Sequence, residues 1–330
     1  MEKGTLRKAG RVVFFFTALG FLLWLLDRIG WDVIGNAFYN VGWTGAALLL
    51  FLGFLETFLD SASFREAQRG RIGVWRAMSY SGAGAVVNVV IPWEAGEAVK
   101  GTLLARHMST SDAIRGTVIW NYLFKLTRPG VALAAALSAF IFGYETDNPA
   151  AWMVPAACLA SLVPFFVLKA LLRFGMAGLT IRVLRFLHFL RRDGDAILNS
   201  AKELDARIRH FRTESPGHYK RVLLYQTLAR IVAWGTWGIG LQLMGLNYSW
   251  ALASLIYAAI SVSGYVVMLF PVRIGVTEGT GYLVFAMLGL DGGMGLVVAV
   301  IMRIKGLLSN GIPGLFAAFG GHERPTTRAS

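Results

Sequence analysis

The chain has 330 residues, of which 55% are hydrophobic and 15% charged, and its mean hydropathy is +0.56. These values exclude an ordinary soluble domain and point to a polytopic membrane protein. The net charge of +13 does not argue for nucleic acid, because most cations lie in short segments between apolar runs, where membrane topology accounts for them.

The first apolar run, VVFFFTALGFLLWLL, follows MEKGTLRKAGR in the manner of a signal sequence. Asp27 and Arg28 come next without a small-x-small cleavage pattern, so a retained first helix is expected at roughly 11–29. Further spanning helices are expected at roughly 43–64, 112–143, 150–172, 221–245 and 294–320. With their flanks these can cross a hydrocarbon core of about 30 Å. Two other apolar stretches, about 77–106 and 250–290, are each interrupted by a proline and charged residues. The lone cysteine, Cys158, sits in an apolar run and reads as a packed small residue.

Charge orients the chain. Lys3, Arg7, Lys8 and Arg11 place the N-terminus in the cytoplasm; Arg65, Arg69, Arg71 and Arg76 place the end of the 43–64 helix there too. The basic connection near 173–221 and the tail, with Arg324 and Arg328, fall on the same side. Asp27, Asp32, Glu145, Asp147 and Asp291 mark the cation-poor side. This alternation requires 77–106 to leave from and return to the cytoplasm, and 250–290 to do the same from outside. Each is expected to be a re-entrant helical hairpin, whose freed backbone is tolerable only inside protein or beside water.

The two turns are related. IPWEAGE (Ile91 to Glu97) and FPVRIGVTE (Phe270 to Glu278) share Pro-x-x-x-Gly followed by an acid. Each precedes a long helix with cations and then Pro-Gly, as NYLFKLTRPG and RIKGLLSNGIPG. The expected fold is therefore all-α and membrane-integral, with about six spanning helices and two hairpins in an inverted repeat. Residues 1–172 form the first repeat, 173–220 a basic cytoplasmic amphipathic connection, and 221–330 the core of the second repeat, led by the helix at about 150–172. Paired broken segments in inverted repeats point to a transporter with a midplane site.

Polar residues inside apolar segments cost roughly 2.5–3.5 kcal/mol each on insertion scales, so they mark candidate sites. The candidate substrate-binding residues are Glu94, Glu97, Lys100, Lys125, Arg128, Arg230, Arg273, Glu278, Arg303 and Lys305, with Glu56 and Asp60 as charge partners. Lys125 and Arg128 lie roughly 20 Å along their helix, too deep to snorkel. The plain alternative is that the acids cap helix starts and the cations form structural ion pairs. Pro92, Gly96, Pro129, Gly130, Pro271, Gly275, Pro313 and Gly314 are candidate hairpin and hinge positions. Gly82 and Gly84 are expected to permit close helix packing. LTIRVLRFLHFLRR, residues 179–192, is a basic amphipathic pattern suited to anionic inner-leaflet headgroups.

The histidines His107, His188, His210, His218 and His322 show no zinc spacing, and no Walker loop, GxSxG elbow or dinucleotide fingerprint occurs. No enzymatic constellation is found, so the chain is expected to be no enzyme and to use no cofactor or metal.

The P-x-x-x-G-E hairpin with its basic L-x-x-R-H end and the later P-x-x-x-G-x-x-E hairpin resemble the flippase domain of lysylphosphatidylglycerol synthetases. That superfamily includes stand-alone, hopanoid-associated membrane proteins. Pro92, Gly96, Glu97, Pro271, Gly275 and Glu278 match its hairpin pattern, whereas Trp93 and Glu94 stand where such proteins often carry small or basic residues. By this resemblance the chain is expected to lack the synthetase's extra helices and aminoacyl-transfer domain. The resemblance implies movement of a lipid headgroup across a bacterial inner membrane, with a phospholipid, aminoacylated lipid or isoprenoid lipid as partner. A non-catalytic accessory protein of a lipid (hopanoid, for example) or envelope-glycan pathway is the alternative. A homo-oligomer is compatible with either.

Overall fold

A computed structural model of the chain describes residues 31–90, 95–144, 148–173, 206–267 and 275–319. The regular structure among these residues is entirely helical, with no strand. Its helices are α1 (Trp31–Ala67), α2 (Val74–Val90), α3 (Ala95–Leu104), α4 (Thr110–Ile141), α5 (Pro149–Arg173), α6 (Pro216–Leu243), α7 (Trp250–Val267), α8 (Val276–Met287) and α9 (Gly292–Phe319). A further helical stretch covers 206–214.

Local chemistry sets the boundaries. Ser109 caps α4, its hydroxyl accepting from the Asp112 amide at 3.2 Å. Pro216 opens α6, where a missing N–H costs nothing. α1 contains a kink at Gly42 (φ 55°), so the expected 43–64 helix is the part beyond the kink and a shorter helical piece precedes it. The expected 77–106 stretch divides into α2 and α3, and the 250–290 stretch into α7 and α8. The first helix at 11–29, the amphipathic segment 179–192, and the turn residues Pro92, Trp93, Glu94, Pro271 and Arg273 lie outside the described residues.

Residues 35–67, 110–141 and 292–317, in α1, α4 and α9, are long and apolar enough to cross a membrane. α6 has a comparable length of 28 residues, but Lys220, Arg221, Gln226 and Arg230 dilute its apolar character. α2 and α3, with 17 and 10 residues, are about 25 and 15 Å long, and each is too short to cross alone.

Two apolar clusters lie at opposite ends of the bundle. One gathers Leu49 of α1, Ala135 of α4, Leu241 of α6, Leu255 of α7, Phe285 of α8 and Val298 of α9, among others. The other gathers Phe64 of α1, Ala77 and Tyr80 of α2, Leu104 of α3, Leu123 of α4 and Val222 of α6. Buried Cys158 belongs to the first.

The clusters give each helix a direction. α1 runs from the first cluster to the second, and α6 runs the opposite way. The legs α2 and α3 both carry members of the second cluster, whereas α7 and α8 both carry members of the first. Helix pairing follows the same rule. α2 packs on α9 as α7 packs on α4; α3 packs on α4 as α8 packs on α9; and α1 and α6 pack on each other. Glu56 and Asp60 of α1, Lys125 and Arg128 of α4, Arg230 of α6 and Arg303 and Lys305 of α9 fall between the two clusters.

Candidate functional site

Close backbone approach builds the charged layer. A Cβ on Gly84 would lie 2.7 Å from the Gly96 carbonyl oxygen, and one on Gly96 would collide with the Gly84 carbonyl. Only glycine at both positions lets α3 fold back against α2 this tightly. The Gly96 amide donates to Asn88 Oδ1 at 2.7 Å, which ties the start of α3 to the end of α2. Gly82 likewise faces α9, where a Cβ would strike the Asn310 carbonyl and sit 2.9 Å from the Gly314 nitrogen.

The start of α8 is fixed differently. Gly275 has φ +80°, and its amide donates to Glu278 Oε2 at 2.8 Å in a capping arrangement at the start of α8. The other oxygen of Glu278 accepts from Arg303 of α9 at 2.5 Å, and Glu278 is 1% exposed.

Between these elements lie two adjoining chambers of about 390 and 380 Å³. Ala85, Arg128, Ile260, Thr277 and Asn310 border both. α1, α2, α3, α4, α7, α8 and α9 contribute to the walls, as does α6 through Ala233 and Trp237. Among the described residues, the walls carry five cations, Lys100, Lys125, Arg128, Arg303 and Lys305, against three acids, Glu56, Asp60 and Glu97. The chambers therefore favour anions.

Most of these charges are paired. Lys100 Nζ meets Glu97 Oε1 at 2.8 Å and stands 4.2 Å from the centre of the Trp120 ring. Lys305 meets Glu56 at 2.9 Å. Arg230 bonds Asp60, lies 3.6 Å from Glu56, and stacks 4.9 Å over Phe124. It is 7% exposed and does not border either chamber, so it sits behind the wall and neutralises the α1 acids. Lys125 borders the first chamber, and its carbonyl accepts from the Tyr265 hydroxyl at 2.9 Å.

Arg128 differs from the rest. Among the described residues it has no ion pair; its guanidinium lies 6.0 Å from the Tyr265 ring, and a Cβ on Gly264 would fall 2.6 Å from its Nη2. It stands where the two chambers join. Asp60 and Glu97 line the first chamber, and one oxygen of each, Asp60 Oδ1 and Glu97 Oε2, is buried without a partner, as is the indole nitrogen of Trp120. Buried polar atoms normally find partners, so these mark places where a polar ligand or water completes the network. Among the described residues no His, Cys, Asp or Glu group is arranged to hold a metal ion.

Of the candidate site residues, Glu97, Lys100, Lys125, Arg128, Arg303 and Lys305 converge on the chambers, with Glu56 and Asp60 beside them. Glu278 serves as the α8 cap, and Glu94 and Arg273 lie outside the described residues. The hinge candidates Pro129 and Pro313 are inside α4 and α9, and Gly130 follows the first of them. Sequence reasoning did not select Asn88, Asn121, Tyr265, Thr277 or Asn310, which supply neutral polar groups to the walls. Asn88 beside the first turn was the one available signal; the others look like ordinary helix residues.

No curated protein and no solved structure is significantly similar to the chain. The family model for the lysylphosphatidylglycerol synthase TM region matches residues 9–314. The chain is a membrane protein, and it belongs to the family of the lysylphosphatidylglycerol synthase transmembrane region.

Proposed function

We propose that the protein is a flippase-like transporter that carries a polar lipid headgroup between the leaflets of a bacterial inner membrane. The observation that carries this reading is Arg128, a cation without an ion pair among the described residues, placed where two polar chambers join. A half-buried arginine at this depth, without an ion pair, is costly unless an anion visits it. A headgroup phosphate suits its forked donors. Asp60 and Glu97, on the first chamber's wall, are the acids available to a cationic part of the headgroup or a proton.

The opposite directions of α1 and α6, and the way both legs of each hairpin share one apolar cluster, support an inverted repeat with two re-entrant hairpins. Lys305 also borders a largely apolar groove of about 450 Å³ between α1 and α9. Acyl chains can lie there while the headgroup enters the charged layer. The chain carries no nucleotide-hydrolysing motif, so movement runs downhill or is coupled to an ion.

The accessory-protein reading is favoured by one observation, the Arg230, Asp60, Glu56 and Lys305 network, which by itself only joins α6, α1 and α9. Liposomes separate the two. Reconstituted protein is expected to move headgroup-labelled phospholipid between leaflets, and Arg128→Ala is expected to slow it at unchanged thermal stability, whereas Glu97→Ala also strands Lys100 and is expected to lower stability as well. No movement of any bacterial phospholipid, aminoacylated or isoprenoid lipid by folded protein leaves the accessory role.

A further inference from the structure

A separate cavity of about 500 Å³ lies where the end of α1, the start of α4 and the helical stretch 206–214 meet, and it shares no lining residue with the two chambers. Among the described residues Arg69, Arg71, Arg115, Arg207 and His210 line it with one acid, Asp112, and Glu214, off the lining, pairs with Arg69 and His210. We propose that this cavity is a binding site for a phosphate or diphosphate group at the end of the bundle, distinct from the headgroup chambers.

The wall is more than a scatter of surface arginines. Gln68, on the lining, is 3% exposed, and its amide nitrogen is buried with no hydrogen-bond partner. The same amide is pressed against Gly116 of α4, where any Cβ would collide with it. A buried amide donor without an acceptor, beside a cluster of guanidinium groups, calls for an anionic acceptor. The backbone next to it is also specialised. Arg69 has φ 55°, a left-handed conformation uncommon outside glycine, and the Gly70 amide closes the turn onto the Arg65 carbonyl at 3.0 Å. This turn sets Arg69 on the cavity wall, with its guanidinium 5.9 Å from the Phe211 ring.

The existing partners are replaceable. Arg71–Asp112 at 2.7 Å and Arg69–Glu214 at 3.3 Å are pairs whose side chains are 38–47% exposed, a setting in which ion pairs contribute little. Arg115 makes no ion pair or hydrogen bond among the described residues. Several forked donors around one space match the oxygens of a phosphoryl group, which carries two or more charges where a carboxylate carries one. A membrane lipid and a soluble phosphate compound share this chemistry.

The test uses the full chain in an uncharged detergent at low salt, with inorganic pyrophosphate as soluble probe and phosphatidic acid in mixed micelles as lipid probe. Thermal shift and titration calorimetry are the readouts. At least one probe is expected to bind in a salt-sensitive manner, and Arg69→Ala/Arg115→Ala to weaken it by about tenfold or more. Both positions are exposed enough for the variant to fold, and Arg115→Gln alone serves as a milder check. Arg128→Ala is expected to leave this binding intact. Response to phosphatidic acid alone identifies a membrane-borne phosphate; response to pyrophosphate as well identifies a site open to soluble ligands. Absence of binding by either probe overturns the site. So does binding that Arg128→Ala removes and the double variant leaves, which would put the anion in the chambers. Transport activity enters neither outcome, so the site stands or falls apart from the transporter reading.

Discussion

Lys305 Nζ and Glu56 Oε2 stand 2.9 Å apart across 249 positions of sequence, joining α9 to α1 at the wall of the second chamber. Their side chains are 12% and 21% exposed, so removing one partner strands the other in a poorly hydrated place. Lys305→Ala is expected to cost about 2–4 kcal/mol of stability. Lys305→Met with Glu56→Gln is expected to cost less than the two single changes together. A thermal-unfolding double-mutant cycle in detergent measures the difference; strict additivity would show that the pair is not coupled.

Arg128 predicts the reverse balance. It has no carboxylate partner among the described residues, so Arg128→Met removes a desolvated charge without stranding another. Stability is expected to stay level or rise, while lipid translocation falls by about tenfold or more. A fall in melting temperature comparable to that of Lys305→Ala would assign Arg128 a structural role instead.

The Gly84–Gly96 contact predicts a sharp contrast within α3. Gly96→Ala drives a methyl group into the Gly84 carbonyl and is expected to cost about 1–3 kcal/mol. Gly101, five positions on in the same helix, has open space around its Cβ. Gly101→Ala is expected to be neutral or stabilising by up to about 1 kcal/mol. Unfolding temperatures of the two variants, measured side by side, decide the point.

Glu278 makes two bonds with one carboxylate, to the Gly275 amide and to Arg303. Glu278→Ala is expected to lose both the cap and the ion pair, at about 3–5 kcal/mol, and to reduce the yield of folded protein. Glu278→Gln keeps an acceptor for the amide and is expected to fall between. Equal stability of all three would mean that the α8 cap does not hold the second hairpin.

Topology is open to labelling. With Cys158 replaced by alanine, Thr110→Cys at the start of α4 and Asn247→Cys between α6 and α7 probe the two ends of the bundle. Both positions are exposed. An impermeant thiol reagent applied to intact cells is expected to label 247 and not 110. Labelling of both from one side would remove the inverted arrangement.

Much of the site was legible because charge in an apolar segment is conspicuous. Glu97, Lys100, Lys125, Arg128, Arg303 and Lys305 each break a hydrophobic run, and the energetic cost of burying them makes a polar enclosure the economical explanation. Tyr265 and Asn310 break no pattern, because neutral polar residues occur on any helix. Nor did the sequence say that Arg230 faces Asp60 while Arg128 faces open space. Both are arginines deep in long helices, and only the rotation of α4 and α6 about their axes separates them.

The sequence by itself determined the class, an all-helical membrane protein. Apolar runs long enough to cross hydrocarbon must become helices, because lipid offers no partners for backbone groups. The tertiary structure decided which charges neutralise each other and which wait for a ligand. Ion pairing depends on distances of a few ångströms between residues up to 249 positions apart, and glycine contacts between neighbouring helices set those distances. Periodicity along one helix contains no information about the helix that will face it.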